Sequence, residues 1–87
     1  MKRFFLDARE LEHPAPLEKS IDILKQLDNN SYYYMIHRKE PIPLLALAQE
    51  HNLNYISKEQ NKQWHIIISP NPNINLEELL KEKIENV

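Results

Sequence analysis

The chain has 87 residues, a formal net charge of −2, 41% hydrophobic residues and 28% charged residues, the chemistry of one globular domain with no room for a second core. It contains neither cysteine nor glycine, which excludes disulfides, thiolate metal sites, cysteine nucleophiles and phosphate-cradling glycine loops. The charges show no basic surplus to attract nucleic acid, and no apolar run approaches the ~20 residues of a membrane span, so a cytoplasmic protein without nucleic-acid or membrane partners is expected.

Phe4 to Ala8 alternates and is rich in aromatic residues, which predicts a first strand. Pro14 biases His13 toward extended backbone, and Pro16 suits the first turn of a helix carried by Leu17, Ile21, Leu24 and Leu27. Asp28-Asn29-Asn30 stops that helix, and Ser31 to His37 is a strong β stretch. Pro41 and Pro43 bracket the start of a second helix with Leu44, Leu47 and Ala48 on its apolar side and Asn52 as its stop. Leu53 to Ser57 predicts a third strand, Lys58 to Lys62 a hairpin turn, and Gln63 to Ser69 a fourth strand. Without glycine, positions that need positive φ must fall to Asn, with Asn29-Asn30, Asn52 and Asn61 as candidates.

Residues 70–75, with two prolines, read as a linker, and residues 76–87 as a last helix capped by Asn75 with Glu78 three positions on. Its stripe is Leu76, Leu79, Leu80 and Ile84. The order β-α-β-α-β-β plus a helix defines an α/β (α+β) two-layer sandwich, and right-handed crossovers put the two central helices on one face of the sheet. Phe5, Tyr33, Met35 and Ile67 are expected on the other face, too apolar to stay bare; the terminal helix or a second copy of the chain would cover it.

Two segments carry a family likeness. Leu6-Asp7-Ala8-Arg9 with Leu11 and the Pro14/Pro16 helix start resembles the equivalent region of TusA/SirA sulfur carriers, whose reactive Cys-Pro is here His13-Pro14. His37-Arg38-Lys39-Glu40-Pro41-Ile42-Pro43-Leu44 is similar to a His-x-Arg-Glu-Pro-x-Pro-Leu stretch of an uncharacterised bacterial family that looks like a cysteine-free TusA/SirA offshoot, sometimes found beside hemerythrin-like or cupin modules. The likeness spans residues 4 to 69 of the domain 1–69. It implies a mixed four-stranded sheet in order 1-2-4-3 with the fourth strand antiparallel to the rest. It further implies that persulfide cannot be carried, for want of the thiol.

That sheet order would bring His13, His37 and His65 to one rim. Three neutral imidazoles with an open position can hold a divalent metal, and an axial imidazole can hold haem. The long, irregular spacing, without an H-x-x-x-H or H-x-H pair, better suits a helix-start residue, a loop-bonded ring and a solvent-facing ring. His37 alone lies at the carboxyl end of a strand before a helix, where open α/β sheets bind ligands. Arg38 and Lys39 supply donors for an anion, and the Pro41/Pro43 helix start adds backbone N–H groups. A structural role for the same motif, its prolines fixing the strand-to-helix turn, fits the sequence as well.

Asp7 and Arg9 read as a brace of the first turn. Tyr32, Tyr33 and Tyr34 read as core and cover rather than as a base-stacking platform. The expectation is thus a non-enzymatic binding or interaction domain with a site at His13, Pro14, His37, Arg38, Lys39, Glu40 and Pro41, taking a small anionic ligand or a protein partner and needing no cofactor. Homodimerisation through the sheet face or last helix is a further expectation. The alternative is a metal- or haem-binding accessory protein using His13, His37 and His65, in redox or nitrogen-oxide stress.

Overall fold

Strand β2 (Ser31–His37) is the axis of the molecule: every residue from Ser31 to Ile36 is buried, as an unbroken apolar run in a central strand requires. The structure, a computed structural model, describes residues 1–85. Around β2 the chain runs β1 (Lys2–Asp7), α1 (Ala15–Leu24), β2, α2 (Ile42–Glu50), β3 (Asn54–Gln60), β4 (Gln63–Ser69) and α3 (Leu76–Glu85). The sheet has the order β1-β2-β4-β3. β1 and β2 are parallel, and β4 is antiparallel to both of its neighbours, as expected.

Register decides which side chains share a face. Phe4 pairs with Tyr33 and Leu6 with Met35, so all four pack on the side of α1 and α2 with Leu17, Leu24, Leu44, Leu45 and Ala48. This corrects the expectation that Tyr33 and Met35 lie on the opposite face with Phe5. That opposite face carries Tyr32, Tyr34, Ile36 and Ile67, and α3 folds across it through the fully buried Leu80, with Leu76, Leu79 and Ile84 beside it. The sandwich of α1 and α2 on the sheet therefore gains a helix on its second side. Phe5 stays partly exposed against Tyr34, ring centroids 5.5 Å apart.

Local chemistry sets the ends of the elements. Asn52, at φ 58°, closes α2 in the left-handed region. The Leu53 N–H donates to the Ala48 carbonyl at 2.9 Å and the Asn52 N–H to the Gln49 carbonyl at 3.1 Å, a Schellman ending with Asn in place of glycine. The Glu78 N–H donates to Asn75 Oδ1 at 3.1 Å, the expected cap of α3. That helix was expected over 76–87; residues 86 and 87 lie outside the described residues.

The β3–β4 hairpin is tighter than expected. Lys58, Glu59 and Gln60 stay in the strand, and only Asn61 and Lys62 turn, at φ 56° and 64°. Two-residue hairpins favour positive φ at both positions because that twist matches the flanking strands. Lys62 thus takes a conformation in which Asn was expected, whereas Asn29 and Asn30 do not. Helix α1 ends at Leu24, so Leu27 packs on the core from the following turn.

Between the layers, Ser20 Oγ on α1 and the Tyr33 hydroxyl on β2 are hydrogen-bonded at 2.7 Å, both fully buried. Burial pushes the Tyr33 phenol up to about 12. This bond holds α1, whose start follows His13-Pro14, against the strand that ends at His37. Among the described residues no helix is long and apolar enough to cross a membrane.

Candidate functional site

Parallel β1 and β2 deliver their following loops to the same end of the sheet, the place where open α/β sheets present ligand crevices. Both loops lead into helices through Pro-x-Pro steps, Pro14-Ala15-Pro16 and Pro41-Ile42-Pro43. Proline suits a first helical turn because it lacks an N–H that would go unpaired there. A cleft of about 250 Å³ opens between the two helix starts. Leu11, Pro16, Leu17, Met35, Pro41, Pro43 and Leu44 form its apolar walls, and Glu12, His13, His37, Arg38, Lys39 and Glu40 its polar part.

The first loop is braced as expected. The Asp7 carboxylate accepts from Arg9 Nε at 2.8 Å, from Arg9 Nη2 at 2.6 Å and from the Arg9 backbone N–H at 3.1 Å. The hydrogen bond with Arg9 holds the Asp7 carboxyl below its usual range. Arg38 then reaches across from the second loop, its Nη2 donating to the Leu11 carbonyl at 3.2 Å and lying 3.6 Å from the Glu12 carboxylate. Its guanidinium is therefore engaged in tying the two loops together.

His37 has a defined protonation pattern. The Lys39 backbone N–H donates to His37 Nδ1 at 3.1 Å. Since a backbone N–H can only donate, Nδ1 must accept, and the neutral ring carries its proton on Nε2. Burial first, and the Arg38 and Lys39 charges second, hold the imidazole below its ordinary value. At neutral pH the ring is thus an uncharged N–H donor. Lys39 is exposed, and among the described residues its ammonium has no ion-pair partner. Glu40 Oε2 accepts from the Ser57 hydroxyl at 3.3 Å, a neutral donor that leaves the carboxylate charge in place.

The structure gathers His13, His37, Arg38, Lys39, Glu40 and Pro41 around this cleft. Pro14 is not in its lining; it stands at the N-cap of α1, where its carbonyl accepts from the Glu18 N–H at 3.0 Å. The α2 N-terminus offers fewer N–H groups than its position suggests, with that of Leu44 remaining in the first turn. Pro41 and Pro43 have no N–H, and that of Ile42 donates to the Glu40 carbonyl at 2.9 Å. Charge at the cleft comes from side chains instead.

His65 does not join His13 and His37. In the antiparallel register His37 faces Trp64 and Ile36 faces His65, so the His65 ring lies on the α3 side of the sheet. There its Nδ1 is 2.8 Å from the Tyr34 hydroxyl, and burial, then the Arg9 charge, holds it below the ordinary histidine value. Among the described residues no three His, Asp or Glu side chains converge to hold a metal ion. His37 fits a metal poorly as well, since its Nδ1 lone pair is taken and its Nε2 is protonated.

Of the lining, Leu17 and Leu44 read in the sequence as helix stripes, Leu11 as part of the family likeness and Met35 as a residue of the opposite face, and Glu12 is not singled out there. The signal that could have found them is the repeated Pro-x-Pro step after each of two parallel strands. No protein-family model, curated protein or solved structure matches the chain.

Proposed function

We propose that the chain is a small, non-enzymatic binding domain that recognises a small molecule through an anionic group in the cleft between the starts of α1 and α2. The observation that carries this reading is that one cleft with an apolar floor is lined by a neutral His37 donor and by Lys39, whose ammonium has no ion-pair partner among the described residues. A carboxylate is bound best by a cation and an N–H donor held together where walls limit competing water. Arg38 contributes by holding the two loops in place. Among the described residues no hydroxyl or thiol lines the cleft to act as a nucleophile, which favours binding over group transfer. In the plan of a TusA/SirA-like carrier, His13 occupies the place of the thiol, and a cytoplasmic, cysteine-free relative of those bacterial proteins keeps recognition without sulfur chemistry.

Two-dimensional NMR titration of the labelled protein with acetate, 4-methylpentanoate and inorganic phosphate tests the reading. Saturable shifts of the Leu11, His37, Lys39 and Leu44 amides with at least one of these anions, lost in Lys39→Ala, are expected. If all three leave those amides in place at millimolar concentration, the reading is wrong.

A further inference from the structure

The polar groups of the cleft are not all of one sign, and their existing partners determine which charges remain for a ligand. Arg38 and Glu12 face each other at 3.6 Å as an exposed pair whose opposite charges offset one another, and Arg38 also donates to the Leu11 carbonyl. What remains is one cation, Lys39, and one carboxylate, Glu40, whose hydrogen-bond partner is a neutral serine hydroxyl. Both line the same cleft, adjacent in sequence at the end of β2. A simple monoanion satisfies Lys39 but meets Glu40 as a like charge. A dianion such as phosphate is worse served, because only one cation is left to balance it. A ligand carrying both signs satisfies both groups.

Size and wall chemistry narrow the class. About 250 Å³ is the liquid volume of roughly eight waters at ~30 Å³ each, room for a ligand of about nine non-hydrogen atoms. The walls Leu11, Leu17, Met35 and Leu44 are aliphatic or thioether, which suits a branched or unbranched hydrocarbon. From these observations, and resting on the reading of the cleft as an anionic-group binding site, we infer that the ligand is a free α-amino acid with an apolar side chain of about four carbons. Its carboxylate lies toward Lys39 and the His37 N–H, its ammonium toward Glu40, and its side chain on the apolar floor. Leucine, isoleucine and methionine have this form; an amino acid with a charged side chain leaves a charge against the floor without a partner.

Isothermal titration and NMR shift mapping on the whole chain use three probes that share one isobutyl group: L-leucine, 4-methylpentanoate, which lacks the amine, and 3-methylbutylamine, which lacks the carboxylate. L-Leucine is expected to bind at least about tenfold more tightly than either, the value of one charge-assisted hydrogen bond. Glu40→Gln is expected to weaken L-leucine to the level of 4-methylpentanoate while leaving 4-methylpentanoate as tight or tighter. Lys39→Ala weakens both. Both substitutions lie in the connection between β2 and α2, and circular dichroism confirms that the variants are folded.

If 4-methylpentanoate shifts the cleft amides and binds as tightly as L-leucine, the amino-acid inference falls and the anionic-group reading stands. If none of the three probes shifts the cleft, both fall.

Discussion

The bond between Ser20 and Tyr33 fastens α1, one of the two helices that flank the cleft, to β2, and Tyr33→Phe tests it. Both side chains are 0% exposed and the oxygens are 2.7 Å apart. Removing the phenol oxygen strands a buried serine hydroxyl, at a cost of about 1–3 kcal/mol at pH 7. Changing Ser20→Ala as well removes the stranded group, so the double variant should recover to within about 1 kcal/mol of the parent chain.

The same phenol has a second signature. Burial raises its value from 10.0 to about 12, so above pH 10 the unfolded chain releases a proton that the folded chain keeps, and stability falls as pH rises. Between pH 10 and 12 the loss is about 1.4 kcal/mol per pH unit, and the Tyr33→Phe variant, having no phenol there, cannot incur it. Burial also raises Tyr34, but that group is present in both proteins and cancels in their difference. Urea unfolding followed by circular dichroism should therefore show the penalty of Tyr33→Phe shrinking by about 1.4 kcal/mol between pH 7 and pH 11. A penalty under about 0.5 kcal/mol at pH 7, or one unchanged at pH 11, refutes the reasoning.

Other consequences are simpler to read. Leu80→Ala opens a cavity beneath α3 and should cost about 2–5 kcal/mol, lowering the thermal midpoint by roughly 10 °C or more; a shift under about 2 °C means α3 is not held on the sheet. Lys62→Gly relieves positive φ at the hairpin and should add about 0.5–1 kcal/mol to stability despite the looser unfolded chain; thermal unfolding at or below the parent midpoint counts against the turn geometry. His37 and His65 are both held below 6.5 in the fold, so the unfolded chain takes up protons first and stability declines as pH falls below about 6.5. Ring titration by NMR should place both under 6.5, and a value at or above it for either is contrary to the burial argument.

The sequence conveyed the element order because its periodicities are clean: the unbroken apolar run of β2, the Pro-x-Pro helix starts and the leucine stripe of α3 each point to one local structure. The strand order came from the family likeness, and the observed sheet has that order. The region of the cleft was legible too, since His37 to Pro41 must sit at the carboxyl end of β2 and His13 at the end of a strand parallel to it. Register was not legible. A one-residue slip turns a side chain to the other face, which is why His65 was expected beside His37 although the two rings lie on opposite sides of the sheet. The same ambiguity misassigned Tyr33 and Met35, because alternation groups side chains by face without saying which group meets the helices. The start of α2 offers less than its position suggests: helix N-termini usually present several free N–H groups, but two of the residues that fix this one are prolines and the Ile42 N–H is already bonded to Glu40. Lys62 at positive φ was hidden because nothing in its residue type announces that conformation; only the two-residue hairpin demands it.

The central claim is that His37 serves the cleft as a neutral Nε2–H donor beside Lys39, ready for a carboxylate. A long-range proton–nitrogen NMR spectrum of the histidine rings, recorded at pH 7.5 with and without 4-methylpentanoate or L-leucine, addresses it directly. A protonated Nε2 and bare Nδ1 in the free protein, with the Nε2 resonance moving saturably as carboxylate is added, is the predicted result. A proton on Nδ1, or an Nε2 resonance indifferent to both compounds, contradicts it.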